Sequence, residues 1–333
     1  MSTDTDGKDT RTDTESAMEP DPEADSEPDS GEETETTSTS GTPDPDPDDT
    51  PADVSDSEQT SDSSTSSESN DEESTDSDTE ATAPPEQFRA AIQGGELKTV
   101  LKTLSAIVDE TRIHINENGL RMRAVDPANV AMDDIELEAA AFESYDASPG
   151  LLGVNLDRFS KVVKMANKTD LVQLWFDTST FKLVVYIDGL EFTMACLDPQ
   201  TIRSEPTLPE LDLPAGVTIS REALNRGIKA ADMVSDHIGI EMVEDEGRLS
   251  IDAEGDTDNV RLDLQDDDLQ SVTLADARSV FSLDYLKDLV RTMPRGVDVS
   301  LRFGSDFPLI MDYEIADGDG HVTRMLAPRI QTD

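Results

Sequence analysis

The chain has 333 residues and sets 75 Asp or Glu against 26 Lys or Arg, a formal net charge of −49 at pH 7. One cysteine, Cys196, excludes an internal disulfide and suits a reducing cytoplasm. No apolar run approaches ~20 residues and the amino end does not read as a secretory leader, so the expectation is a cytoplasmic protein, neither membrane-spanning nor exported by that route.

Residues 1–86 hold 30 acids, two cations, one Val (Val54), two Met, and no Leu, Ile, Phe, Tyr, Trp or Cys. Such a segment cannot bury enough apolar surface to offset its chain entropy, which predicts a disordered acidic tail dispensable for folding. The remaining 247 residues suit one large domain or two of ordinary size. Their general acidity resembles the surface of proteins from organisms that accumulate molar salt, where dense carboxylates keep a protein hydrated.

The first predicted helix is Leu97–Ile107, with Leu97, Val100, Leu101, Leu104 and Ile107 at helical spacing. Strands follow through Ile113 and Ile115, a turn at Asn118-Gly119, then Leu120 and Met122. The second helix, Arg158–Lys168, repeats Phe159, Val162, Val163 and Ala166, and a strand after it closes at Phe176. A hairpin is predicted at Asp188-Gly189. Leu197–Pro214, with four prolines and little periodicity, reads as an extended connector.

The text then repeats itself. A third helix, Ala223–Ala231, carries Leu224, Ile228 and Ala231; strands run through Ile238, Ile240 and Met242, a turn at Glu246-Gly247, then Leu249 and Ile251. A fourth helix, Tyr285–Met293, carries Leu286, Leu289, Val290 and Met293, and a last hairpin falls around Gly318–Gly320. Leu97 and Leu224, Leu156-Asp157 and Leu283-Asp284, and Phe176 and Phe303 all stand 127 residues apart. The expected fold is α+β, two similar units of helices on antiparallel sheet. The boundaries read 87–196 for the first unit, 197–214 for the connector and 215–333 for the second.

Off each apolar stripe lie two cations three or four residues apart, on one helix face: Lys98 and Lys102, Lys161 and Lys164, Arg226 and Lys229, Lys287 and Arg291. The four predicted helices hold 10 Lys or Arg and one acid, while the rest of residues 87–333 holds 14 and 44. Positive charge gathered on four helices of so acidic a chain points to a polyanionic ligand.

Catalysis finds little footing. His114, His237 and His321 are scattered, and no nucleophile elbow, phosphate-binding glycine loop or zinc-type cluster is present. Asp252, Glu254, Asp256 and Asp258 alternate as in a calcium loop, but Thr257 stands where the turn glycine belongs and Asp263 where Glu does. Asp266-Asp267-Asp268 reads as a surface turn. The sequence calls for no metal and no cofactor.

Four strings, LGVNLDRFSKVVKMA (Leu152–Ala166), RAVDPANVAM (Arg123–Met132), PLIMDYEIAD (Pro308–Asp317) and MLAPRI (Met325–Ile330), closely resemble the sliding clamps of the proliferating cell nuclear antigen family, halophilic archaeal type. The resemblance spans Phe88 to Ile330 and leaves out the acidic tail. It implies a non-enzymatic homotrimeric ring of two-domain subunits, with helices lining a central hole, sheets outside, and duplex DNA bound without regard to sequence. DNA polymerase, clamp loader, nuclease and ligase would dock outside through short motifs.

On that resemblance Lys98, Lys161, Lys164, Arg226, Lys229 and Arg291 match channel positions, with Lys102 and Lys287 added by helical geometry. Ser105 and Met233 stand where the family often has a further cation. The resemblance places a partner pocket at Val125, Val130, Met132, Leu208, Leu211, Pro308, Met325, Ala327, Pro328 and Ile330, Met325 replacing an aromatic common in eukaryotic relatives. It sets Leu190–Leu197, with Phe192 and Met194, against Asn259–Leu264, with Val260 and Leu262, of the next subunit. Two alternatives stay open: a checkpoint-type or heteromeric clamp subunit, and a metal-dependent enzyme using the acidic loops.

Overall fold

The computed structural model describes residues 82–205 and 211–329. The tail reading falls almost wholly on residues outside that range, as do Leu208 and Ile330. Its last residues are described, and Pro85 is buried against Gly150 while the Leu151 amide donates to the Ala83 carbonyl at 2.8 Å. The chain is therefore fastened to the sheet before residue 87.

The first half begins with β1 (Phe88–Gln93), α1 (Gly94–Leu104), β2 (Glu110–Asn116), β3 (Gly119–Val125), β4 (Ala131–Glu138) and β5 (Ser144–Ala147). It continues with β6 (Gly150–Asn155), α2 (Leu156–Val163), β7 (Leu171–Asp177), β8 (Lys182–Ile187) and β9 (Leu190–Ala195). The second half repeats the order: β10 (Ala215–Ser220), α3 (Arg221–Ala231), β11 (His237–Val243), β12 (Arg248–Glu254), β13 (Asn259–Leu264) and β14 (Gln270–Thr273). It ends with β15 (Ala277–Ser282), α4 (Leu283–Thr292), β16 (Asp298–Phe303), β17 (Leu309–Ile315) and β18 (Gly320–Leu326).

Polar residues start α2 and α3 from just outside the helix. Asn155 Oδ1 accepts from the Arg158 amide at 3.0 Å, and Ser220 Oγ from the Ala223 amide at 3.2 Å. The helices α1 and α2 end earlier than their periodicity suggests. Ala106 and Ile107 bond back three residues to Thr103 and Leu104, and Met165 and Ala166 do the same to Val162 and Val163. These tight turns keep Ile107 and Ala166 buried while leaving the α-helix. The stripes themselves are core: Leu104, Val163, Leu224, Ile228, Leu286 and Leu289 are each at most 1% exposed. Each such side chain stabilises the fold by about 1.5–3 kcal/mol.

Every strand pairing is antiparallel. A five-stranded sheet runs β5-β1-β7-β8-β9, a four-stranded sheet β13-β12-β11-β15, and a nine-stranded sheet β14-β10-β16-β17-β18-β4-β3-β2-β6. The nine-stranded sheet is one five-stranded and one four-stranded unit joined where β18 pairs with β4, Leu326 opposite Ala131 through Gly320 opposite Leu137. Turn chemistry fixes the registers. Asp188 and Gly189 both have positive φ, as a two-residue hairpin loop requires. The other early turn lies at Glu117-Asn118, one residue before the predicted position, and Gly119 opens β3; a Cβ there would sit 1.9 Å from the Leu137 carbonyl oxygen.

Among the described residues no helix is long and apolar enough to cross a membrane. Cys196 is half-buried, and burial pushes its thiol up to about 11.

Candidate nucleic-acid interface and docking surface

The helices stand in a row. α1 packs on α2, α3 packs on α4, and α1 also meets α4, giving the order α2–α1–α4–α3. With the apolar stripes turned to the sheets, Lys102, Lys161, Lys164, Arg226, Lys229 and Arg291 are exposed along the row, and Lys98 and Lys287 are half-buried.

The eight cations are not equivalent. Lys161 pairs with Asp157 at 2.6 Å, Lys287 with Asp232 at 2.6 Å, and Arg291 with Asp288 at 3.1 Å. The Asp232 hydrogen bond holds the Lys287 ammonium above its ordinary range, and Lys161 holds Asp157 below the usual carboxylate range. Lys164, Arg226 and Lys229 make no ion pair among the described residues. The positive face is thus partly neutralised, by Asp157 and Asp232 just beyond the predicted helix segments and by Asp288, the one acid within them.

Lys98 and Lys102 do something the sequence did not signal: Lys98 donates to the Ala166 carbonyl and Lys102 to the Arg291 carbonyl, the latter at 2.8 Å. The end of α4 collects three cations from three elements. Arg324 donates to the Leu289 carbonyl, Arg221 to the Val290 carbonyl at 3.4 Å, and Lys102 to that of Arg291. Carbonyls at a helix end lack intrahelical partners and form the negative pole, so cations belong there. Partial burial, then Arg221, Arg291 and Arg324, lowers the Lys102 ammonium below its ordinary range. A cleft of about 1290 Å³ opens beside this cluster, lined by Lys98, Lys102, Arg221, Arg291 and Arg295 together with Glu96, Asp298 and Asp312.

Three of the expected docking residues, Val125, Met132 and Met325, stand in one cross-strand row. Val125 on β3 faces Met132 on β4, Met132 faces Met325 on β18, and Met325 faces Ile310 on β17. Directly opposed residues share a sheet face. Val125, Val130, Leu211, Pro308, Met325, Ala327 and Pro328 are half-buried, whereas Met132 and Ile310 are 5% and 6% exposed and serve as floor. The Ala327 amide donates to the Val130 carbonyl at 2.8 Å, which ties the C-terminal segment to the loop before β4.

Sequence reading missed the residues that hold this surface in place. Asp126 is buried and accepts from the amides of Ala128, Val130 and Ala131 at 2.9, 2.6 and 2.7 Å, and from the Tyr285 hydroxyl at 2.9 Å. Burial works against its charge, but these bonds hold its carboxyl below the usual range. Arg203 of the connector donates to the Asp126 carbonyl at 2.9 Å, Arg112 to the carbonyls of Pro199 and Ile202, both at 2.8 Å, and His114 lies 2.6 Å from Glu205. The available signal was the set of lone cations in strand and connector, Arg112 and Arg203.

The sheet edges separate into covered and open ones. Leu197, just after β9, bonds to Gly153 on β6 at 2.8 Å, and Arg329, just after β18, bonds to Val280 on β15 at 2.7 Å. β5 and β14 are only four residues long. That leaves β9 and β13, six residues each, ending their sheets. Phe192 is 38% exposed on β9, and Val260 and Leu262 are half-buried on β13. Met194 differs from expectation: it turns into the chain's own core at 3% exposure and presents nothing outward.

Two acids of the second half's acidic stretch, Asp252 and Asp263, are engaged otherwise. Asp252 is held by two Arg278 bonds of 2.6 and 2.8 Å, and Asp263 by Ser250, Arg248 and Arg261, which bring its carboxyl down to about 2.

Comparison with known proteins agrees with this architecture. Residues 88–189 match the N-terminal domain, and residues 207–330 the C-terminal domain, of proliferating cell nuclear antigen. A protein of Natronomonas pharaonis named DNA polymerase sliding clamp is 49% identical over 246 residues, which are 74% of this chain and all of that protein. The A. fulgidus PCNA solved with the C-terminal region of FEN-1 superposes with a TM-score of 0.71 at 34% identity, covering 74% of this chain and 100% of that one. The PCNA2–PCNA3 complex of Sulfolobus tokodaii gives 0.64 at 26% identity, covering 72% and 99%. With both domains matched in order, the chain belongs to the proliferating cell nuclear antigen family of sliding clamps.

Proposed function

We infer that this protein is a sliding clamp: copies of the chain close into a ring around duplex DNA and hold DNA polymerase and other replication and repair factors on it. It is a processivity factor and not an enzyme. The observation that carries this reading is the unbroken row of helices with its cations on one side, in a chain whose two open strand edges pack on the helices that end the row, β9 on α2 and β13 on α3. Two different edges that meet head to tail generate a closed ring when the rotation allows it. On this reading the described units correspond to domains 87–196 and 215–333 joined by 197–214, the row lines the hole, and the Val125–Met325 surface receives short partner motifs. The ring is cytoplasmic.

Partial neutralisation of the row fits such a device. Tight phosphate contacts lose ~10³–10⁵ in affinity over a modest rise in salt, so a clamp in a salt-rich cell gains little from them. Topology retains the DNA, and the channel has only to avoid repelling it. Contacts that ignore base edges also leave the ring free to slide.

Reversing the channel charge tests this. Lys161→Glu with Lys164→Glu, or Arg226→Glu with Lys229→Glu, should leave folding stability within ~0.5 kcal/mol per site because these side chains are exposed. Both variants should form normal trimers yet lose stimulation of processive primer extension. Wild-type stimulation across a range of salt would remove the helices as the DNA path. A heteromeric ring is the second reading, prompted by the similarity to the PCNA2–PCNA3 complex; the mass of the chain alone, by light scattering in molar KCl, separates the two.

A further inference from the structure

Two strand junctions are built alike but finished differently. β18 pairs with β4 inside the chain, and the internal repeat gives each strand a twin: β9 holds the place of β18, and β13 that of β4. Aligning the strands on their inner partners sets Met194 with Leu326 and Leu262 with Ile135. Arg324 then corresponds to Phe192, and Asp133 to Val260. On the helices, Thr103 of α1 corresponds to Ala230 of α3, and Thr292 of α4 to Met165 just past α2.

Inside the chain this place is ionic. Arg324 and Asp133 are both 0% exposed, directly opposite each other, and joined by two bonds of 2.7 Å. The remaining guanidinium donors go to the Thr292 hydroxyl at 2.6 Å, the Thr103 carbonyl at 3.0 Å and the Leu289 carbonyl. Burial opposes the charge on Arg324, but Asp133 more than offsets it and holds the guanidinium above its ordinary range. At the twin positions the side chains are all apolar: Phe192 and Met165 on one side, Val260 and Ala230 on the other. Phe192 is 38% and Met165 65% exposed in the single chain.

We propose that the Asp133–Arg324 cluster is an identity key: it dedicates β4 and β18 to each other, so that only the apolar pair β9 and β13 can join one copy of the chain to the next. The proposal rests on the ring reading above. In the register that β18 and β4 use, Phe192 meets Val260 of a second copy and Glu191 meets Arg261. Met165 becomes a subunit contact next to Ala230. Crossed pairings are penalised both ways. β9 laid on β4 buries Asp133 against Phe192, and β18 laid on β13 buries Arg324 against Val260, each leaving a charge without a partner. Were both junctions apolar, strands could exchange, and swapped or open-ended arrays would compete with the ring.

The test transplants each junction onto the other in the full chain, with native mass spectrometry and light scattering in molar salt. Asp133→Val with Arg324→Phe makes the junctions alike and should give a spread of species beside the trimer; trimers as uniform as the wild type overturn the proposal. Phe192→Arg alone should raise the concentration needed for half-assembly by ~100-fold or more, as a buried unpaired charge does. Adding Val260→Asp should restore most of that loss in affinity, but into the same spread of species, since both junctions are then ionic. These edge substitutions leave the chain's own junction untouched, so they remain decisive if the first variant fails to fold. Failure of Val260→Asp to rescue also overturns the proposal. A wild-type chain that is monomeric would instead sink the ring reading itself.

Discussion

If the ring proposed above is a trimer, at three times the 36.2 kDa chain mass, Phe192→Asp is expected to convert it to folded monomers. The side chain sits on an open strand edge and supports little of its own subunit's core, so the chain should keep its melting temperature within a few degrees. In the ring the same carboxylate would be taken out of water with no cation opposite it, a loss of ~3–5 kcal/mol per interface. At 1.4 kcal/mol per tenfold that weakens each contact by ~10²–10³, and a trimer has three of them. High salt does not rescue it, because the cost is desolvation and not long-range repulsion. Sedimentation or light scattering at micromolar chain decides the point. An intact Phe192→Asp trimer would take β9 out of the interface.

The second large effect belongs to the docking surface. Pro328→Ala with Ile330→Ala should weaken binding of a polymerase-derived peptide at least ~10-fold, since truncating a true apolar anchor costs ~2 kcal/mol or more. Calorimetry in molar KCl is the right assay, because salt screens charge contacts and spares apolar ones. Asp126→Ala should act on the same surface from beneath by releasing the amides of Ala128, Val130 and Ala131. Lys161→Glu should change nothing in this assay. If the Pro328/Ile330 variant binds as the wild type does, partners dock elsewhere.

The helices were legible because burial imposes a 3.6-residue period on them, and Leu224, Ile228, Leu286 and Leu289 all reach the core as that period requires. The duplication was legible for the same reason, since each half must bury the same faces. Helix ends were less so: Asn155 and Ser220 start helices from outside the stripe, and tight turns prolong the stripe past Leu104 and Val163. Local pattern also cannot reveal a partner far along the chain. Asp133 and Arg324 are 191 residues apart, and each reads alone as an ordinary strand charge. Likewise Lys287 has only a loose Asp284 neighbour at 3.7 Å in its own helix, and it is the end of α3 that brings Asp232 to 2.6 Å. Phe192 and Met194 stand two apart on β9 and so share a face, which is why sequence names both; only the fold shows that Met194 is covered by the chain's own core while Phe192 stays open.

On this reading DNA is held by a closed ring and not by adhesion. The protein should be loaded onto nicked circular duplex with a clamp loader and ATP, washed in molar KCl, and followed by the amount retained on the DNA before and after a single restriction cut. Retention through the wash and release once the circle is linearised are expected, because a ring slides off a free end. Loss in the wash, or equal retention on circular and linear DNA, would contradict it.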